Sequence, residues 1–505
     1  MKSATILGSS PSPSGGGPGW GRSARTFIAL AVSLSLTACA VGPKYNGPPP
    51  VDTPIAFKEG QGEWIKAAPA DALQRGPWWQ LFGDPVLDGL AAQVQVSNQN
   101  VAAAVAAYHQ ARALTAQSRA GLFPSVTLNA GATRSGSAGG GTTTTSTGAV
   151  VSTGGGERNA FQLNIGASWE PDVFGRLSGA VAAASASEQA SQADLASATL
   201  AAQGELVADY INLRGIDAQR RLVLQTVEGY RRTVTITTNR YNAGVVPRTD
   251  VLQAQTQLAN AQADLLGLEQ QRAQLEHAIA VLTGRAPANF TLAPRDDWSL
   301  TVPDVPPDVP STLLQRRPDI AAAERRVAQA NEQIGVATAA FFPSLRLTGS
   351  AGQSAARIGD LFSASSLVWS LGLSAAQTIF NAGLTRAQVD AARAAYEQQA
   401  ARYRQAVLAA FQDVEDQLAA SRILGQQLAF RREASQAADL VEQQVLNRYQ
   451  AGQVSFTEVV TAQATALSAR RSLVQLQSSR SVAAVSLVQA LGGGWGGLDS
   501  LPPAR

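Results

Sequence analysis

One eight-residue phrase occurs twice in this chain. Asn-Arg-Tyr-Asn-Ala-Gly-Val-Val starts at Asn239, and Asn-Arg-Tyr-Gln-Ala-Gly-Gln-Val starts at Asn447, an offset of 208. The repetition extends well beyond the octet. Phe123-Pro-Ser125 aligns with Phe342-Pro-Ser344 at an offset of 219, and Asn100-Val101 aligns with Asp319-Ile320 at the same offset. Val173-Phe174 aligns with Ile379-Phe380 at 206, so the first copy holds 13 extra residues, within the Gly/Thr/Ser run from Ser135 to Arg158. Self-similarity on this scale means one structural unit made twice. Residues 86–283 and 318–491 are the two copies, residues 284–317 are a Pro-rich connection, and residues 492–505 form a short tail.

Each copy contains two kinds of segment. In the first, Val126, Leu128, Ala130 and Ala132 alternate with polar or small residues, as do Phe161, Leu163, Ile165, Ala167 and Trp169. In the second, Leu345 and Leu347 alternate, followed by Leu367, Trp369, Leu371 and Leu373. Period two predicts a β-hairpin over about 124–170 and another over about 343–377. Alternation over about ten residues ending near a tryptophan is how a membrane barrel strand reads. A half-buried sheet in a soluble domain has the same alternation, and the pattern alone leaves both open.

The remainder is helical. No proline interrupts Ser178 to Tyr241 or Leu384 to Gln450, so each run predicts a helix about 90 Å long. Gly204, Gly215, Gly229 and Gly425 are expected to kink or interrupt these helices. After each octet a heptad seam begins: Val251, Leu258, Leu265, Arg272 and Ile279 in one copy, Val459, Ala466, Leu473, Arg480 and Leu487 in the other. A second line of Ala and Leu lies three residues further on, so these helices suit a coiled coil with close approach. Arg272 and Arg480 interrupt the seam at matching positions, and are expected either to pack their stems and reach solvent or to take a pairing role. Hydrophobic residues make up 45 % but aromatics only 6 %, which favours long helices over a dense core.

Within each octet, Gly244 and Gly452 suit the left-handed residue that closes a helix. The next helix begins within a few residues, so each octet is a hairpin tip, at about 242–249 and 450–457. Ser455 and Glu458 form a capping box, and Asp250 suits a helix N-terminus.

Arg22 and Arg25 precede the apolar run 27–36, which is too short to span a bilayer and fits a secretory signal over residues 1–38. The single cysteine, Cys39, ends Leu36-Thr-Ala-Cys39, and residues 39–85 follow as a tether and lead-in segment. No other cysteine is available for a disulfide. The net charge of +3 gives no reason to expect nucleic acid. His109 and His277 are far apart and read as structural, and there is no nucleotide-binding Gly-Lys-[Ser/Thr] loop and no nucleophile elbow. Neither catalysis nor a cofactor is expected.

Four strands cannot close a barrel, and a sheet in lipid must close. If these strands enter a membrane, the chain is an oligomer; eight strands enclose little more than side chains, whereas twelve leave a pore.

The lipobox around Cys39, Val41-Gly-Pro-Lys-Tyr45, Phe82-Gly-Asp-Pro85, Trp169-Glu-Pro-Asp-Val-Phe-Gly-Arg176, Arg316-Arg-Pro-Asp-Ile320, Phe342-Pro-Ser344 and both octets resemble the TolC-type outer-membrane efflux channels. The similarity is to their NodT-like lipoprotein branch. It implies a mixed fold, all-α plus membrane β, with an internal two-fold repeat. Four strands per chain would build a trimeric twelve-stranded transmembrane β-barrel, continuous with a long periplasmic α-helical coiled-coil barrel. It implies a homotrimer that passively conducts drugs or other small molecules, with a periplasmic adaptor and an inner-membrane pump, often of the resistance–nodulation–division class, as partners. Cys39 would carry the lipid anchor. The tips would form the periplasmic mouth, with Gly244, Val245, Val246, Gly452, Gln453 and Val454 as adaptor contacts and Asp250, Tyr449 and Glu458 as gate residues. Tyr449 and Asp250 occupy positions that hydrogen-bond in some members. Thr461 departs from the family pattern, where a second acid is common, and Val454 replaces a base that some members have.

Two other classes remain to be weighed: a periplasmic adaptor-type lipoprotein and a lipid-anchored enzyme. An adaptor calls for one hairpin flanked by compact β domains, whereas this chain carries two hairpins and amphipathic strand pairs. An enzyme calls for clustered His, Cys or carboxylates, which the sequence lacks.

Overall fold

A computed structural model describes residues 41–52, 54, 57–59, 77–136, 141–144, 150–153, 157–295 and 317–493. Cys39, the signal segment 1–38, residues 60–76 and 296–316, and the tail beyond 493 lie outside the described residues. The described residues form two units, one from 122–178 and 338–381, the other from 43–121, 179–337 and 382–493.

The first unit is a sheet. Strands β1 (Ser125–Gly136), β4 (Glu157–Trp169), β5 (Ser344–Ala355) and β6 (Leu367–Ala376) lie in the order β1-β4-β5-β6. Every neighbouring pair is antiparallel. Strands of 10 to 13 residues are long enough to cross a bilayer when tilted. The register aligns the alternation across the sheet. Leu128 opposes Ile165, Ile165 opposes Ala351, and Ala351 opposes Trp369. One face therefore carries Leu128, Ile165, Ala351, Trp369, Leu371's partner Gly349 and Leu373's partner Leu347. The opposite face carries Thr127, Gly166, Ser350 and Ser370 in register. The apolar face is uncovered in one chain, with Leu128 68 % and Trp369 72 % exposed.

Within the Gly/Thr/Ser run, strands β2 (Gly141–Thr144) and β3 (Val150–Thr153) pair as a separate ribbon. Thr and Val tolerate a pleated backbone without supplying the apolar alternation that would have revealed it.

At the sheet's base, the Trp169–Arg176 motif makes the turn into a helix. Gly175 has φ +76°, Asp172 accepts from the backbone N–H groups of Leu177 at 2.9 Å and Ser178 at 2.6 Å, and Arg176 pairs with Glu170 at 2.7 Å. Phe174 stacks on Phe342 of the second copy's Phe-Pro-Ser motif, ring centres 5.0 Å apart.

The second unit is helical: α1 (Pro85–Ser97), α2 (Gln99–Ala120), α3 (Arg176–Asn242), α4 (Arg248–Leu282), α5 (Pro318–Ala339), α6 (Leu384–Gln450) and α7 (Phe456–Ala490). Helices α3 and α6 each run 67 residues, about 100 Å. Both the α3/α6 and the α4/α7 pairs start and end exactly one offset of 208 apart in number. The expected interruptions at Gly204, Gly215, Gly229 and Gly425 do not occur, and α3 and α6 are continuous. At two of these positions the reason for glycine is close approach. A Cβ on Gly204 would fall 1.7 Å from Gln489 and one on Gly215 2.8 Å from Ser478, both residues of α7.

The core sits where the lead-in segment and the inter-copy connection meet the helices. Trp78, Phe82, Leu87 and Val94 pack with Leu206, Tyr210, Ile279, Phe290 and Val485. The Phe82–Pro85 motif is a joint: Gly83 is left-handed at φ +65°, Asp84 caps α1 and Pro85 opens it. The two copies close their last helices in the same way. Asn98 donates to the carbonyl of Leu282 at 2.9 Å, and Arg317 donates to that of Ala490 at 3.2 Å.

Of the two readings of Arg272, the pairing role is the one the structure has. Arg272 does not reach solvent; its side chain is 12 % exposed. Its Nε donates to Asp217 at 2.8 Å, one terminal nitrogen donates to Glu276 at 2.9 Å, and the other donates to the Leu292 carbonyl. Asp217 also pairs with Arg214 at 2.9 Å, with both side chains almost wholly buried. In the second copy the positions equivalent to Asp217 and Glu276 are Gly425 and Ala484, and Arg480 has no ion pair among the described residues. The acids nearby, not the seam position, decide whether the arginine is ion-paired.

Candidate functional site

The two hairpin tips are built by the octets. The Val245 N–H donates to the Arg240 carbonyl at 2.9 Å and the Gly244 N–H to that of Tyr241 at 2.9 Å. The second tip repeats this, from Gln453 to Arg448 at 2.9 Å and from Gly452 to Tyr449 at 3.0 Å. These paired bonds are a Schellman closure, which needs a left-handed residue after the last helical turn. Gly244 and Gly452 supply it, at φ +73° and +74°. Pro247 and Ser455 then start α4 and α7 from extended backbone. Val245 is 61 % exposed at its tip; Val246 and Val454 are half-buried, and Gln453 is exposed.

The tips resemble each other in backbone but not in surroundings. Tyr449 is 6 % exposed and packs with Phe456, ring centres 5.4 Å apart, in a cluster with Ala254 and Val459. The Arg240 guanidinium of the other tip lies 4.8 Å above its ring, within the range of a cation–π contact, and Arg240 donates to the Tyr449 carbonyl at 3.5 Å. Burial pushes the Tyr449 hydroxyl up, the Asp250 carboxylate adds to the shift, and Arg240 opposes it. Among the described residues that hydroxyl has no hydrogen-bond partner, so in this chain Asp250 reaches Tyr449 through its field and not through a bond. Arg240 is absent from the sequence reading. The repetition of Arg before Tyr in both octets is the signal that would have found it.

Glu458 faces its own helix start: the Ser455 N–H donates to it at 3.3 Å and the Ser455 hydroxyl at 3.4 Å. It is exposed, and it lines a groove of about 420 Å³ between α6 and α7 with Ala438, Val445, Thr461 and Ala462. Asp250, Tyr449 and Arg240 are brought together, whereas Glu458 lies apart from them on that groove. No group of three or more His, Cys, Asp or Glu suited to a metal occurs among the described residues. No described helix is long and apolar enough to cross a membrane.

The model of the outer membrane efflux protein family matches residues 90–285 and again 309–493, one match per copy. The chain belongs to this family. It is similar to the pyoverdine export outer membrane protein OpmQ of Pseudomonas aeruginosa, 31 % identical over 94 % of this chain and 98 % of that one. It is also similar to the cation efflux system protein CusC of Escherichia coli, 28 % identical over 93 % of this chain and 98 % of the relative. Among solved structures, the outer-membrane channel OprN superposes with a TM-score of 0.80 at 30 % identity, covering 90 % of this chain and all of OprN. This outer membrane efflux protein is thus a channel component of an efflux system and not an enzyme. Its place is the outer membrane.

Proposed function

We propose that three copies close their four-stranded sheets into one twelve-stranded barrel, and that the pore so formed passively conducts small molecules outward from the periplasm. The observation that carries this reading is the pair of free edges. Among the described residues, strands β1 and β6 each pair on one side only, and in lipid the unpaired amides and carbonyls of an open edge cost several kcal/mol per group. An edge of β6 on β1 of the next copy satisfies both, and a heterologous contact of that kind closes into a ring. Twelve strands leave a lumen, lined by the face bearing Thr127, Ser350 and Ser370.

The duct works with a periplasmic adaptor docked at Gly244, Val245, Val246, Gly452, Gln453 and Val454, and with an inner-membrane pump of the resistance–nodulation–division class that supplies the energy. Asp250, Tyr449 and Glu458 sit at the mouth as gate residues, and Cys39 carries the lipid anchor after the signal is cut. The relatives named for pyoverdine export and for cation efflux carry unlike cargoes, which suits a duct whose selectivity lies in its pump.

Deleting the gene in its own bacterium should raise accumulation of some members of a panel of chemically varied toxic solutes. A cysteine placed at Gln453 should cross-link to a periplasmic protein. A deletion strain with unchanged accumulation across the panel would contradict the export role. Mass spectrometry of the mature N-terminus should find acylated Cys39, and a free, unmodified N-terminus elsewhere would remove the anchor from the account.

A further inference from the structure

We propose that Tyr241 of one copy packs beneath Arg448 of the next, in the α6/α7 groove, so that the joint between copies repeats the Arg240–Tyr449 contact inside each copy. The inference rests on the oligomeric reading above and specifies its joint.

The internal joint supplies the template. Tyr449 is covered by Arg240 and lies against Ala254 of the first hairpin. The helices of the two copies correspond at one constant offset of 208, so the residue equivalent to Arg240 is Arg448 and the residue equivalent to Tyr449 is Tyr241. Both are left open in a single chain. Tyr241 is 42 % exposed, and Arg448 is exposed, with no carboxylate or ring against it among the described residues.

The receiving surface also corresponds. Ala438, Val445, Glu458 and Ala462 line the open groove. Their equivalents in the first hairpin are Tyr230, Thr237, Asp250 and Ala254. Tyr230, Thr237 and Ala254 are 5 %, 0 % and 2 % exposed, because that face is where the first hairpin meets the second. The same face is therefore closed on the first hairpin, whereas on the second Glu458 is exposed, Ala438 and Val445 are half-buried, and only Ala462 is buried. The filling side chains are in place too: Val460, packed beside Tyr449, corresponds to Leu252, which is 50 % exposed. Glu458 stands in the groove where Asp250 stands near Tyr449, so the electrostatic setting is reproduced as well. Two hairpins per chain, each offering a tyrosine forward and an arginine and groove behind, give a head-to-tail contact that a ring of copies satisfies everywhere. A second copy of this chain is accordingly the occupant.

The test places the photo-reactive amino acid p-benzoylphenylalanine at position 241 of the full chain, assembled in membranes. Irradiation should give bands of two and three linked chains, with the linkage mapping between residues 438 and 465 of another copy. Linkage confined to the same chain, or to a different protein, in material whose native mass is three chains would overturn the joint while leaving the trimer intact. A native mass of one chain would overturn both. As a second measurement, Tyr241→Ala and Arg448→Ala should each lower the temperature at which the oligomer dissociates, and the double variant should fall no further than the worse single one. Additive losses would mean that the two residues do not meet.

Discussion

Removing the Asp217 carboxylate tests the buried charge cluster most sharply. Asp217 is wholly buried and accepts from Arg214 at 2.9 Å and Arg272 at 2.8 Å. In Asp217→Ala, Arg272 keeps Glu276 at 2.9 Å, whereas Arg214, 2 % exposed, keeps the Ala293 carbonyl at 2.8 Å and the Tyr210 side chain, whose ring lies 4.8 Å away. Stripping a buried charge of its partner costs about 3–5 kcal/mol. The contacts retained by both arginines place this case near the lower bound, about 3 kcal/mol. At 1.36 kcal/mol per decade, local opening becomes about a hundredfold more frequent. The assay is amide hydrogen exchange followed by mass spectrometry on peptides covering 206–220 and 276–295, which carry the cluster and the loop it holds. Arg480→Ala is the internal control: it occupies the same seam position, but Gly425 and Ala484 replace the acids, so its effect should stay below about 1 kcal/mol. Replacing both Arg214 and Asp217 by apolar residues should recover much of the loss. Exchange in Asp217→Ala within threefold of the parent, or equal effects from Asp217→Ala and Arg480→Ala, would refute the reasoning.

Other outcomes follow from single sites. Gly452→Val forces a β-branched residue into a left-handed conformation at φ +74°, at a cost of at least about 1–2 kcal/mol; the variant should reach the outer membrane yet lose export, and wild-type drug sensitivity would count against a docking role for the tip. Ile165→Arg places a charge at mid-strand on the apolar face, opposite Leu128 and Ala351, and should lower the assembled protein by an amount equivalent to about 2–4 kcal/mol. Asn164→Arg on the other face should assemble normally, as immunoblots of outer-membrane fractions would report. Burial, aided by Glu205, pushes Asp209 up to about 6. Because the folded form then takes up its proton before the unfolded one, this group penalises the fold above about pH 6, and the penalty is relieved as pH falls toward the ordinary carboxylate range. The melting advantage of Asp209→Asn over the parent should thus be present at pH 7 and shrink by pH 5; an advantage independent of pH would refute the assignment.

What was legible in the sequence was whatever repeats or alternates. Leu128, Ile165 and Trp369 announce the apolar face because period two survives strand pairing unchanged, and Gly244 and Gly452 announce the tips because only a left-handed residue fits there. The charge cluster was hidden because Arg272 pairs with Asp217, 55 residues away, and with a loop carbonyl, neither of which follows from a heptad. Gly204 and Gly215 failed as breakers because their neighbour is a helix from the other copy. Gly204 faces Gln489, and a one-dimensional reading sees only the missing side chain. Tyr449 and Asp250 were found by position, but Arg240, which covers Tyr449, needed the two tips to be seen side by side.

The central claim is that this sheet is one third of a closed barrel. Its most direct test is the native mass of the protein extracted from outer membranes in mild detergent. The account predicts three chains. A single chain that remains folded, with β1 and β6 unpaired, would contradict it.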